Sequence, residues 1–168
     1  MKTRTFIGIA AATGLAIALP LLAAERLAAK AGLWENTITM SLGLNLPKEQ
    51  LDKLPPEMLK QMGIGAPRTI TERSCMTEKD LEGNAFRDSM QESLQDCNYT
   101  EVTNTAKRQE WTFQCKTPAG PATGRMMIDV VTDEQVRASM EMRSSEANMD
   151  VTVDARWKTA SCEGATIQ

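Results

Sequence analysis

The stretch CNYTEVTNTAKRQEWTFQC, residues 97–115, holds two short runs of alternating residues around a polar turn. Folding the runs antiparallel about Ala106 sets three pairs of residues opposite each other, namely Cys97 with Cys115, Tyr99 with Phe113, and Glu101 with Trp111. Directly opposed residues of a non-hydrogen-bonded pair have Cα atoms about 4.5 Å apart, which a disulfide can span. The stretch therefore predicts a β-hairpin closed by a disulfide, with its aromatic rings on one face.

The pairing within this hairpin leaves the other two cysteines, Cys75 and Cys162, to each other. An even number of cysteines in a chain that reaches an oxidising compartment favours disulfides. A metal or redox site is the alternative use of the thiols. It is disfavoured because the chain has no Cys-x-x-Cys and no histidine. We predict two structural disulfides, Cys97–Cys115 and Cys75–Cys162.

Residues 1–24 have the layout of a secretory signal peptide. Its parts are a basic start, an apolar run and small residues, formed by Lys2 and Arg4, by Phe6 to Leu22, and by Ala23 and Ala24. Cleavage is expected near Ala24, while cuts after Ala29 or Ala31 and an uncleaved anchor are alternatives. The sequence thus predicts a periplasmic or secreted protein with a single domain over residues 25–168 and no transmembrane segment after signal removal.

Composition excludes several classes of function. Hydrophobic residues make up 42% and charged residues 24% of the 168, a balance typical of one compact domain. The net charge of −3 argues against a nucleic-acid partner. The absence of histidine removes the commonest general base, the commonest metal ligand and any Ser-His or Cys-His pair. We therefore predict no enzyme, no catalytic residues, no cofactor and no metal.

The first half of the predicted domain combines strands with short helices. Strands are predicted over Gly32 to Leu42 and over Thr69 to Cys75 from their alternation. Between them, Pro55-Pro56 divides the segment from Pro47 to Gly63 into two short helices. A further helix before Cys97 is predicted from Phe86, Met90 and Leu94, which recur every fourth residue.

The second half predicts a meander of three strands. Pairing Arg143 with Asp150 aligns the apolar faces of the last two strands and sets Met142 opposite Val151 and Met140 opposite Val153. In the strand before them, Gly124 to Val131, the set Met126, Ile128 and Val130 competes with Met127 and Val131 for the inner face. The predicted fold class is α+β: a curved antiparallel sheet of about seven strands, with a C-terminal meander and short helices inserted after the first and second strands.

The order of several motifs carries a resemblance. They are Gly32-Leu33-Trp34-Glu35 at the start of the first strand, Cys75-Met76-Thr77, Asp96-Cys97, Cys115, and a last cysteine soon after the meander. In this order the chain resembles the bacterial exported family known as domain of unknown function 3617. The resemblance implies an envelope location and a cross-linked, β-rich domain. It implies no reaction, because the family has no established one.

Two groups of residues could in principle carry chemistry. The methionines invite a copper(I) site through their thioether sulfurs, but Met58, Met62 and Met140 lie at positions where methionine fills a core. Glu101 is the one carboxylate expected on an apolar face, and a single carboxylate does not form the pair that glycoside hydrolysis needs.

The sequence favours a non-enzymatic envelope domain that binds an unidentified ligand or envelope protein. The alternative is a periplasmic carrier or chaperone that holds a lipid or other apolar molecule in a curved sheet. A hydrolase is the third class, and the chain has no Ser-x-x-Lys to support it.

Overall fold

The computed structural model describes residues 25–82, 85, 88, 91–92, 96–117 and 120–165. Within them the chain forms the strands β1 (Gly32–Leu44), β2 (Arg68–Met76), β3 (Cys97–Asn104), β4 (Arg108–Thr117), β5 (Gly120–Thr132), β6 (Gln135–Ser144) and β7 (Ala147–Thr159). The short helices α1 (Lys48–Leu51) and α2 (Pro56–Gln61) lie between β1 and β2, and a single turn of 3-10 helix, Lys79–Leu81, follows β2. The predicted signal peptide and the helix predicted from Phe86, Met90 and Leu94 lie outside the described residues.

The strands form one open sheet in the order β2-β1-β7-β6-β5-β4-β3. Every neighbouring pair is antiparallel. Strands β3 to β7 lie side by side in chain order, and β1 then pairs with β7, so the first and last strands meet inside the sheet. The expected antiparallel sheet of about seven strands is confirmed in this coarse form.

The register of the hairpin β3–β4 is the predicted one. Cys97 lies opposite Cys115, and Tyr99 lies opposite Phe113, with the two ring centroids 5.9 Å apart. Glu101 lies opposite Trp111, and the register shifts only beyond this pair. The hairpin prediction is therefore confirmed residue by residue.

The predicted register of β6 and β7 is wrong by two residues. Arg143 lies opposite Asn148 instead of Asp150, and Met140 lies opposite Val151. The turn is tighter than expected because the Ser144 hydroxyl accepts a hydrogen bond from the Ala147 amide and donates one to the Ala147 carbonyl, both at 3.0 Å. A slip of two residues leaves each side chain on its original face, so alternation alone cannot detect it.

One face of the sheet carries the core. Its buried residues come from most strands and from the segments before β1 and after β2, and they include Leu27, Ala29, Trp34, Leu81, Trp111, Phe113, Cys115, Ala122, Met126, Ile128, Val136 and Ala155. In β5 the inner face belongs to Met126 and Ile128, and Val131 is exposed. This decides which face of β5 points to the core, a choice that the sequence leaves open.

A glycine allows a close contact in this core. Gly124 lies opposite Phe113, and a Cβ added to it would overlap both the Phe113 ring and the Glu141 carbonyl oxygen. Phe113 therefore packs directly on the backbone of β5, which only glycine permits at this position.

The insert between β1 and β2 does not contribute methionines to the core. Met58 is 46% exposed and Met62 is 43% exposed, and α2 has no buried residue. The interpretation of these residues as core fillers is wrong. The insert joins the sheet through its backbone, since the Leu42 amide donates to the Gly63 carbonyl at 3.0 Å, and the apolar stripe of α2 faces solvent.

Candidate functional site

The segment before β1 crosses the apolar face of the sheet. We call residues 25–31 the strap. Its backbone amides donate to three separate parts of the domain: Leu27 to the Leu81 carbonyl at 2.8 Å, Ala28 to Ala106 at 2.7 Å, and Lys30 to Asp133 at 2.9 Å. The side chains of Leu27 and Ala29 are buried. The strap is therefore part of the core, although its sequence has no strand or helix pattern.

Two tryptophans hold the end of the strap. Trp34 in β1 and Trp157 in β7 lie opposite each other, and their indole Nε1 atoms donate to the carbonyls of Lys30 and Ala31, both at 3.0 Å. The Lys30 ammonium lies 5.0 Å from the centre of the Trp157 ring and 2.5 Å from a carboxylate oxygen of Glu134. The hydrogen bond to Glu134 raises the pKa of Lys30. These contacts keep Lys30 charged and the strap in place.

A cavity of about 260 Å³ opens on the apolar face beside the strap. It extends across β2, β1, β7, β6 and β5. Its apolar wall includes Leu27, Ile38, Met76, Ile128, Val136 and Val153, together with the small side chains of Ala138 and Ala155. Small residues at these positions leave space that longer side chains would fill, so part of the apolar face borders a void rather than packed core.

Polar groups lie along one side of the cavity. Asn36 donates a hydrogen bond from its side-chain amide to the Ser74 hydroxyl at 2.8 Å. Asp80 accepts hydrogen bonds at one carboxylate oxygen from the amide and the hydroxyl of Thr77, both at 2.7 Å. Glu72 in β2 lies opposite Asn36 and is half-buried. The site thus combines an apolar wall with a few polar groups, the composition common in small-molecule pockets.

The cysteines form two disulfides. Cys75 is bonded to Cys162, with Cα atoms 5.3 Å apart, and Cys97 is bonded to Cys115, with Cα atoms 4.0 Å apart. These are the pairs that the sequence predicts. With their sulfur atoms bonded to each other, the cysteines present no thiolate to a metal or a substrate.

The part of the chain that the structure describes lacks two further features. Among those residues, no group of three or more Cys, Asp or Glu side chains is arranged to hold a metal ion. No helix there is long and apolar enough to cross a membrane.

Comparison with known proteins gives one match. The family model described as Protein of unknown function (DUF3617) matches residues 29–162. The chain belongs to the DUF3617 family. The match begins within the strap and ends at the last cysteine, so it covers every strand and both disulfides. No curated protein and no solved structure matches the chain significantly.

The other face of the DUF3617 sheet is polar and carries ion pairs. Glu35 binds Lys158 at 2.6 Å and Arg73 at 3.6 Å, and the hydrogen bond from Lys158 lowers the pKa of Glu35. Arg143 binds Asp150 at 2.5 Å, although the two are not directly opposed. These side chains are at least partly exposed, so solvent weakens their ion pairs and each contributes little to stability.

One charged residue on this polar face is buried. Glu110 in β4 is 6% exposed and binds Arg125 at 2.7 Å and Arg108 at 3.4 Å. Its neighbour Gln109, on the core face, is 1% exposed and donates from its side-chain amide to the Glu25 carbonyl of the strap at 3.3 Å. Both residues tie elements of the DUF3617 domain together, and neither stands out in the sequence.

The cavity was missed by sequence reasoning. Glu101, the carboxylate expected on the apolar face, is exposed at the edge strand and accepts a hydrogen bond from Asn104 at 3.1 Å. Glu72 does line the cavity, and the sequence analysis does not identify it. The sequence of this DUF3617 protein holds one signal for it: Glu72 alternates with Ile70 and Ser74 in β2, so the three side chains lie on one face.

Proposed function

We propose that this DUF3617 protein is an exported, non-enzymatic binding domain whose site is the cavity beside the strap. The observation that supports this most directly is the cavity of about 260 Å³ on the apolar face of the sheet. Apolar cavities of about 150 Å³ already bind benzene, and drug-sized ligands occupy roughly 300–1,000 Å³. The site therefore suits a small molecule with an apolar body of one ring or a short alkyl chain.

Several properties of the lining favour binding over catalysis. The apolar wall offers no nucleophile, and the cysteines elsewhere in the domain are bonded as disulfides. The hydroxyl of Ser74 accepts a hydrogen bond from Asn36, and no base pairs with it among the residues described. A general base would have to activate this hydroxyl for nucleophilic attack.

Cavity size also separates the proposal from the lipid-carrier alternative. A volume of about 260 Å³ cannot enclose a lipid with two acyl chains, because it lies below the range of drug-sized pockets. A carrier would have to leave much of its lipid on the surface, across Met40 and Ile70, which are 37% and 38% exposed. We therefore propose a small ligand for this site. We also propose that an envelope protein delivers this ligand to the domain or receives it.

Filling the cavity is expected to abolish binding. The substitution Ala138→Phe places a ring in the void from β6, between Ile128 and Val153. We expect phenylbutanol to bind the wild-type protein and to bind this variant at least about tenfold more weakly, because the ring occupies the volume of the ligand. Isothermal titration calorimetry measures both affinities.

The matched control for this experiment is Ser139→Phe. Ser139 is the next residue of β6 and borders the opposite face of the sheet. It should leave phenylbutanol binding unchanged, and thermal melts establish that both variants fold. Equal binding by the wild type and the folded Ala138→Phe variant would contradict the proposal.

We propose further that export removes residues 1–24 and leaves the strap intact. Burial of Leu27 and Ala29 supports cleavage near Ala24 over cleavage after Ala29 or Ala31, since the later cuts would remove core residues. Disulfides and the signal-like start are consistent with an oxidising compartment.

Cell fractionation and N-terminal sequencing test this proposal. We expect the protein in the periplasmic extract without detergent, with Glu25 as its first residue. Recovery only in detergent would contradict export as a soluble domain. A folded product that begins at Lys30 or Gly32 would contradict the role assigned to the strap.

A further inference from the structure

The unusual residue of the cavity is an acidic one on an apolar face. Glu72 lies in β2 opposite Asn36, and its side chain borders the void together with Ile38 and Val153. Among the residues that the structure describes, no ion pair or hydrogen bond reaches its carboxylate. Its negative charge therefore has no partner among the described residues and is available to a ligand in the cavity.

The next residue in the same strand shows the contrast. Arg73 points to the polar face and pairs with Glu35 at 3.6 Å, and Glu35 has a second partner in Lys158. The sheet therefore supplies partners of opposite charge on its polar face. On the cavity side, the described lining contains no lysine and no arginine for Glu72.

A second carboxylate adds negative charge at the cavity. Asp80 reaches the cavity from the 3-10 turn after β2. Among the described residues, Thr77 donates two hydrogen bonds to one of its carboxylate oxygens. Two acidic groups and no basic group among the described lining residues make the cavity electrostatically complementary to a cation.

The rest of the lining decides which kind of cation fits. A divalent metal ion needs several oxygen ligands, whereas most of this lining is aliphatic. An organic cation satisfies both parts of the site, because its ammonium group can meet the carboxylates while its hydrocarbon part displaces water from the apolar wall.

We infer that the cavity binds a small cationic amphiphile, with its amine at Glu72 and Asp80 and its apolar body between β1, β7 and β6. This inference rests on the proposed function, because it names the class of ligand for the same cavity. It goes beyond it in requiring selectivity for positive charge.

Three probes that each combine a phenyl ring with an alkyl chain and contain ten carbon atoms test the selectivity. Phenylbutylamine is positive at neutral pH, phenylbutanol is neutral and phenylbutyrate is negative. By titration calorimetry at low salt, we expect the amine to bind about tenfold more tightly than the alcohol, and the carboxylate to bind most weakly. High salt should reduce the preference for the amine, since Glu72 is only half-buried and Asp80 is exposed.

The substitution Glu72→Gln tests whether the carboxylate of Glu72 causes the preference for the amine. It keeps the shape of the side chain and removes its charge, so the amine should lose most of its advantage over the alcohol. The control is Glu146→Gln, which removes the same charge from an exposed position in the turn between β6 and β7. This control should keep the preference.

The outcomes separate the inference from the proposed function. If the alcohol binds and the amine shows no preference, the inference fails and the proposed function stands. If none of the three probes binds, both fail. A preference that survives in folded Glu72→Gln overturns the role of this carboxylate.

Discussion

Replacing Cys75 and Cys162 together by alanine is expected to lower the free energy of unfolding by about 4.6 kcal/mol. The two residues are separated by 87 positions, and the chain-entropy model for a loop of this length yields that value. Domains of this kind are stable by roughly 5–15 kcal/mol, so the loss approaches the whole stability of the protein. We expect the variant to be partly unfolded at physiological temperature.

The position of this disulfide explains what its loss would release. Cys75 lies in β2, the edge strand, and Cys162 follows β7, which lies on the other side of β1. The bond thus ties an edge of the sheet across β1 to the end of the chain. Hydrogen exchange in β2 should accelerate more than exchange in β4, because β2 has a neighbour on one side only.

The matched control is the pair Cys97→Ala and Cys115→Ala. These residues are 18 positions apart, and the same model predicts a loss of about 3.2 kcal/mol, to which the cavity left by buried Cys115 adds. Urea denaturation of the oxidised proteins measures both losses. Non-reducing peptide mapping of the wild type checks the bonds directly, and a fragment that joins Cys75 to Cys97 would contradict the pairing.

Replacing Trp34 by alanine is expected to cost about 3–5 kcal/mol. The Trp34 side chain is 0% exposed, and its indole donates to the Lys30 carbonyl of the strap. The substitution removes the largest kind of side chain from the core and also leaves that carbonyl without its donor. The strap should then detach, and with it Leu27, which forms part of the cavity wall.

Two further variants separate packing from the hydrogen bond. Trp34→Phe keeps most of the apolar volume and loses the donor, so it should cost less than Trp34→Ala. Met40→Ala changes a residue of the same strand that is 37% exposed and should cost less than about 1 kcal/mol. Denaturant unfolding measures all three, and a loss at Trp34 no larger than that at Met40 would show that the strap is not held by this residue.

Local patterns were sufficient where the partner residues lie close in the chain. The hairpin from Cys97 to Cys115 could be aligned from its own residues, because a short turn leaves few registers and one of them places both cysteines and the aromatic residues on one face. Pairing Cys75 with Cys162 then followed by elimination. The β6–β7 hairpin shows the limit of this approach, since a shift of two residues preserves the pattern and only the hydrogen bonds of Ser144 select the turn.

Contacts between distant segments could not be predicted from the sequence. The exposure of Met58 and Met62 depends on whether a sheet face lies next to α2, and helical spacing holds no information on that. The burial of Leu27 depends on carbonyls and side chains contributed by residues far along the chain, such as Leu81. Periodicity describes one element at a time, so a segment without a regular pattern, such as the strap, has no signal to reveal its place in the core.

The sequence by itself determined the antiparallel hairpin, the family resemblance and the apolar and polar faces of most strands, because each depends on residues within one or two neighbouring segments. The tertiary structure decided the site. The cavity requires Ala138 and Ala155 to share one face of the sheet with Ile38, and Leu27 of the strap to lie against that face. The position of Glu72 at the cavity depends on the pairing of β1 with both β2 and β7. Void space and charge complementarity arise between elements, and they exist only once those elements have been brought together.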